Sequence, residues 1–194
     1  MDLTFDLLEN VFVRLEPLEE RHREMLRALA ADTSLWTQTK LNAAEHFDTW
    51  FDTMLVSNTK GAQMSYAVFD KIRQVYCGHT SFLSIFPEHQ RLEIGWTWYG
   101  TEFHGTHINP ASKSLLMAHA FGCGAERVEL KTGDQNLRSQ RAMEKMGAKR
   151  DGVLRSHSRT WKGDRRDSVL YSILKEDWPE VKAGLDQRLE AFKR

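Results

Sequence analysis

The run Leu92-Glu93-Ile94-Gly95-Trp96-Thr97-Trp98-Tyr99 alternates as a strand does. Leu92, Ile94, Trp96 and Trp98 are bulky and apolar, as a core face requires. Glu93, Gly95, Thr97 and Tyr99 point the other way. Gly95 weakens a strand and marks close approach of a ligand or another backbone. Glu93 is then either a carboxylate facing a cleft or a solvated strand residue.

Downstream, Glu102-Phe-His-Gly-Thr-His-Ile-Asn-Pro-Ala-Ser-Lys113 carries a loop into a helix that runs to about Phe121. Asn109 suits an N-cap, and Pro110 suits the first helical position, where its missing N–H costs nothing. The backbone N–H groups at such a helix start favour anions. The loop matches neither the P-loop nor the dinucleotide fingerprint. His104 and His107 lack a third ligand at a usual spacing, so no metal is expected. Arg127–Lys131 reads as a strand, and Asn136–Met146 as a helix stopped by Gly147. Val153–Trp161 and Asp167–Leu174 read as a hairpin, with a last helix from Trp178-Pro179. Upstream, Asn10–Leu15, Met64–Phe69 and Val75–Phe86 read as strands, and Leu18–Ala31 and Ala43–Val56 as helices. The order is mixed α and β.

With 194 residues the chain fits one domain, 1–194. An apolar share of 41% and a charged share of 28% exclude bulk disorder. No apolar run reaches the ~20 residues a membrane helix needs, and the acidic start does not read as a signal peptide. A cytoplasmic protein without a membrane partner is expected. Two cysteines, Cys77 and Cys123, support no disulfide framework. Formal net charge is zero, but residues 101–194 carry 18 basic against 13 acidic residues. That excess, densest from Arg127 to Arg166, is either a solvated face or a field for a polyanionic ligand.

Several segments together resemble the GCN5-related N-acetyltransferase (GNAT) family, and within it the ribosomal-protein alanine N-acetyltransferase branch. They are Val13–Leu18, Leu92–Trp96, the loop before the helix, Arg127–Leu130, Asn136–Ser139, Glu144–Ala148, Asp151–Arg155 and Arg166–Ser172. They follow one another in the family's order over nearly the whole chain. The resemblance implies an α/β fold whose mixed, splayed central sheet of about seven strands is flanked by helices. It also implies acetyl-CoA, or another acyl-CoA, as co-substrate. The strand edge with Trp96, Thr97 and Trp98 would bind the pantetheine, pairing like an added strand. The loop with His104, Gly105, Thr106, His107 and Asn109 would bind the pyrophosphate. Asn136, Arg138 and Arg141 complete the implied cofactor site, the arginines meeting the 3′-phosphate or pyrophosphate.

The family loop usually reads Gln or Arg, two residues, Gly, one residue, Gly or Ala. Here His104, His107 and Asn109 stand in those places. Many relatives carry a tyrosine near the end of the next helix as proton donor, where this chain has Met143. In the ribosomal branch a serine three residues after the asparagine takes that role, and Ser139 matches it. Glu93 is then the expected general base and Ser139 the donor to the leaving thiolate. The acceptor would be a primary amine, such as a protein N-terminus or a small-molecule amine. Asp32–Asn42 and the hairpin around His157–Arg166 would wall its site.

The altered loop and missing tyrosine motivate a second reading, a catalytically silent acyl-CoA-binding module. Nucleic-acid binding by the basic face finds no motif to support it. A homodimer is expected from Trp161, Trp178 and the last helix.

Overall fold

Strand-forming runs joined by short turns pair with their chain neighbours, and the first five build an antiparallel meander. In the computed structural model, which describes residues 1–193, these are β1 (Leu8–Glu9), β2 (Val13–Pro17), β3 (Gln63–Asp70), β4 (Val75–Phe86) and β5 (Arg91–Tyr99). β6 (Arg127–Gly133) runs parallel to β5, and β7 (Lys149–Arg159) and β8 (Arg165–Leu174) form the hairpin. The sheet order is β1-β2-β3-β4-β5-β6-β8-β7. The expected seven strands become eight because β1, only two residues long, carries no readable alternation.

Among the described residues five α-helices cover the sheet: α1 (Arg23–Ala30), α2 (Phe47–Thr59), α3 (Ile108–Gly122), α4 (Leu137–Met146) and α5 (Trp178–Glu190). Leu26, Phe47, Trp50, Phe51 and Met54 of α1 and α2 pack with Trp36, Ala67 and Trp98 on one face. Leu116, Met117, Met146, Val181 and Leu185 of α3, α4 and α5 pack with Leu92, Ile94, Val128 and Leu130 on the other. The helix expected over Leu18–Ala31 is split. A 3₁₀ turn over Glu20–His22 precedes α1, because the His22 ring accepts the Glu19 N–H at 3.0 Å. α3 starts at Ile108 with His107 as its cap. Asn109 is therefore inside the helix, and Pro110 falls in the first turn, where N–H groups have no intrahelical partner.

The alternation read over Leu92–Tyr99 breaks at a bulge. Ser81 pairs with Gly95 and His79 with Trp98, so Trp96 and Thr97 together oppose Thr80. Trp96 takes the left-handed conformation, φ 49°. One extra residue reverses the facing of all that follow. Trp98, expected beside Leu92 and Ile94, instead packs with Trp36 and Trp50, while Tyr99 joins Leu92 and Ile94.

The bulge sits where the sheet opens. β5 and β6 pair only through Arg91–Glu93 and Arg127–Glu129. Beyond Glu93 the two strands diverge, leaving Ile94–Tyr99 without a ladder partner on the β6 side.

Candidate active site

A cavity of about 390 Å³ fills this divergence. β5 lines it from Glu93 to Tyr99 and β6 from Leu130 to Thr132. α3 adds Asn109 and Lys113; the α4 region adds Asn136, Arg138, Ser139, Ala142, Met143 and Met146. Trp36, Gln38, Thr39, Lys40 and Arg166 close it on the α2 side of the sheet.

Glu93 lies at the vertex, 6% exposed. Its Oε2 accepts from Lys131 Nζ at 2.8 Å. Glu93 and Lys131 share a face because β5 and β6 are parallel and in register at Glu93 and Glu129. A Cβ on Gly95 would stand 3.2 Å from Glu93 Oε1 and 3.0 Å from Leu83 Cδ2. Glycine there keeps space beside the carboxylate, which resolves the two readings of Glu93: it faces the cleft.

On the opposite face the buried Lys113 donates from Nζ to Thr97 Oγ1 at 3.0 Å, and Thr97 is hydrogen-bonded to Thr80 at 2.8 Å. Burial pushes the Lys113 ammonium down to about 7. The sequence reading passed over this residue. Its signal was helical spacing, since Lys113 shares the buried stripe of Leu116, Met117 and Ala120.

At the mouth, Arg138 Nη1 donates to His104 Nδ1 at 2.9 Å, and His104 Nε2 meets the Tyr99 carbonyl at 3.1 Å. Burial and then the Arg138 charge hold the His104 pKa below its ordinary value, favouring the neutral ring this arrangement needs. Asn136 caps α4 by accepting the Ser139 N–H at 3.1 Å, which sets Ser139 against the cavity. Gly105 also lines it, with φ 75°.

Three of the residues named from the sequence lie elsewhere. The His107 ring is buried, 3.1 Å from Asp70 Oδ1, with Phe12 and Phe192 beside it. It is turned away from the cleft. Thr106 Oγ1 donates to the Phe103 carbonyl at 2.7 Å within its own turn. Arg141 is exposed, one helical step round from Arg138, and does not line the cavity. Neither cysteine lines the cavity: Cys77 is fully buried, its thiol pushed up by burial, and Cys123 is near His119. Among the described residues no group of three metal-ligating side chains exists, and no helix is long and apolar enough to cross a membrane.

The two segments expected to wall the acceptor site meet. Trp161 Nε1 donates to the Trp36 carbonyl at 2.9 Å, the Trp161 N–H donates to the Thr39 carbonyl at 3.2 Å, and Arg166 donates to the Gln38 carbonyl. The site thus offers a buried carboxylate, an unpaired strand edge and two helix N-termini around one cleft. That set can deprotonate a nucleophile, align an extended chain and meet an anion.

A profile of the acetyltransferase (GNAT) domain matches residues 13–149. A protein described as an acetyltransferase from T. thermophilus is 34% identical and superposes with a TM-score of 0.85, covering 97% of this chain and 100% of its own. A GCN5-related N-acetyltransferase from Brucella melitensis is 25% identical, with a TM-score of 0.87 over 96% of this chain and 86% of its own. RimJ of Mycobacterium smegmatis, solved in complex with CoA-disulfide, shares the fold at 17% identity and a TM-score of 0.80, over 98% and 96%. No curated protein sequence matches significantly. From the domain match over most of its length, and the split sheet that goes with it, the chain belongs to the GNAT family of N-acetyltransferases.

Proposed function

We propose that acetyl-CoA lies in the cleft between β5 and β6 and is attacked directly by a primary amine, with Glu93 as general base. The observation that carries this is the parting of the two strands at Glu93, which leaves the Ile94–Tyr99 edge without a ladder partner beside a buried carboxylate. That edge suits the pantetheine amides, and its N–H groups suit the thioester oxygen as charge develops there. Arg138 and the first turn of α3, with Asn109 against the cavity, suit the phosphates. His107 does not contribute its ring, so Arg138 is the charged side chain offered at that end.

In the transfer the N–C bond forms and the C–S bond breaks. Of the two protons the ammonium loses, one goes through Glu93 to solvent and one ends on the thiol sulfur, relayed by Ser139. Met143 lines the cleft where other relatives hold a tyrosine, and a thioether carries no proton to give. The placement of both cysteines favours direct attack over an acyl-enzyme. Release of CoA thiol from acetyl-CoA, measured over a panel of amines, tests the reading. A silent CoA-binding module would bind acetyl-CoA and release nothing above hydrolysis with any of them.

A homodimer belongs to the same proposal. Val153 and Leu154 on the edge strand β7, and Trp161 at the hairpin tip, are exposed. Trp178, by contrast, is occupied within the chain, its ring 5.6 Å from that of Phe121. Sedimentation across micromolar concentrations distinguishes dimer from monomer.

A further inference from the structure

The α2 side of the cleft is cationic and only partly neutralised, by Glu93. Lys40, Lys131 and Arg166 all line it. Lys131 is paired with Glu93, but neither Lys40 nor Arg166 has a carboxylate within salt-bridge distance among the described residues. Arg166 is held by neutral partners, donating to the Gln38 carbonyl and, from Nε, to Ser158 Oγ at 3.0 Å. Burial holds the Arg166 pKa below its ordinary value, and Asp134 opposes that. Burial, then the charges of Lys131 and Arg166, pull the Lys40 pKa down. His157, beside the same three cations, is likewise held below its ordinary value, first by burial.

This cluster lies across the sheet from Arg138 and the α3 N-terminus. Lys131 pairs with Leu170 in the β6–β8 ladder, one step from the core pair Leu130–Tyr171, so it projects to the opposite face from α3. Arg166 stands over the same face, its Nη1 3.2 Å from where a Gly133 Cβ would be. The charges are therefore separate from the cofactor's phosphate end. Gathering cations along a wall where Lys131 and Arg166 are half-buried and Lys40 is exposed costs stability through repulsion and, for the first two, lost hydration. It also repels an ammonium substrate that brings no compensating charge.

We propose that the acceptor is an anionic amine: a primary amine bearing a carboxylate or phosphate that docks between Lys40 and Arg166 while its nitrogen faces Glu93. This rests on the acetyl-transfer reading of the cleft. The anion neutralises the wall, and the proton on the amine is left to Glu93.

The test measures CoA release with acceptor pairs that differ in whether they carry the anion, at fixed ionic strength and with rates referred to the free-amine fraction of each. L-glutamate against its diamide probes a free amino acid. An Asp-initiated against an Asn-initiated peptide amide probes a protein N-terminus, and phosphoethanolamine against ethanolamine probes a phosphate. The anionic member of at least one pair is expected to have the higher kcat/KM, by about tenfold or more. Lys40→Met and Arg166→Met are expected to erase that preference while leaving acetyl-CoA affinity, read by calorimetry, within about twofold. The Lys40 side chain is itself exposed, so its variant tests the idea even if Arg166→Met fails to fold. Equal or reversed preferences overturn the proposal. Failure of wild-type protein to bind acetyl-CoA overturns the underlying reading instead. If acetyl-CoA binds but no acceptor turns over, glutarate and inorganic phosphate are titrated into CoA-loaded protein: binding lost in Lys40→Met supports the anion site, and no binding refutes it.

Discussion

Lys131 Nζ reaches Glu93 Oε2 at 2.8 Å, bridging β5 and β6 just where their ladder ends. The tie holds one carboxylate oxygen and leaves Oε1 beside Gly95, which brings no side chain of its own. A carboxylate fixed at one oxygen and free at the other can receive a proton in a set direction. It also keeps the two strands in contact at the vertex while they separate beyond it.

Glu93→Gln should keep acetyl-CoA affinity and lower kcat by roughly 10²–10⁴. Activity should partly return at high pH, where more of the amine is already free. Steady-state rates from neutral to alkaline pH check this. A wild-type kcat and pH profile with a true acceptor would remove Glu93 from the base role.

Ser139→Ala should also lower kcat, with no rescue by alkali, because it affects the leaving thiolate and not the amine. The same pH series, run on both variants, separates the two roles. Alkaline rescue of Ser139→Ala would contradict its assignment as donor.

Arg138→Ala should weaken CoA binding by about 1.5–3 kcal/mol, the worth of a charge-assisted hydrogen bond. Arg141→Ala should cost much less, since Arg141 is exposed and outside the cavity. Calorimetry with CoA and dephospho-CoA further shows which phosphate Arg138 meets: a loss confined to CoA identifies the 3′-phosphate. Equal effects of the two arginine variants would contradict the placement.

His107→Ala should act on stability and leave CoA affinity intact. The ring is buried against Asp70 at 3.1 Å, and removing one member of a buried pair costs about 1–3 kcal/mol. Urea denaturation read beside CoA titration makes the comparison. A large loss of affinity at unchanged stability would put His107 back in the phosphate site.

Lys113 gives a pH signature. Its pKa is depressed to about 7 from 10.5 by burial. Between those values the unfolded chain binds a proton that the folded chain does not, so Lys113 makes stability rise with pH across that window. Below about pH 7 both states are protonated and the slope from this group vanishes. Lys113→Met should be more stable than wild type at neutral pH, and the gap should narrow as pH rises toward 10. Denaturation midpoints at pH 7 and 9.5 test this. A constant gap would show that Lys113 does not titrate in the folded protein.

Local chemistry made most elements legible. The strand Arg91–Tyr99 was placed at its true bounds because its aromatic and branched residues alternate between a glutamine-led turn and Gly100. α4 was legible from an Asn cap and a Gly stop, and Gly147 indeed takes the left-handed conformation at φ 98°. Glu93 was singled out by its glycine neighbour, Ser139 by the resemblance that places a serine three residues after the asparagine, and Arg138 as a cation on the basic helix. All three line the cavity.

Long-range pairing settled what local pattern could not. The bulge at Trp96–Thr97 depends on β4 offering one residue, Thr80, against two, and it sends Trp98 to the face opposite the one alternation assigned. His107 reads as a loop histidine in sequence, but Asp70, 37 residues earlier, claims its ring. Lys131 becomes a partner of Glu93 only through the parallel register of β5 and β6, and Lys113 becomes a cleft residue only once α3 lies across β5. The sequence by itself determined the order of most strands and helices and the Asn-capped, Gly-stopped α4, because these rest on neighbours within a few residues, and it determined the family through a set of such short segments met in order along the chain. Only the tertiary structure decided which side chains face the cleft, because that follows from register, and a single extra residue in one strand reverses it.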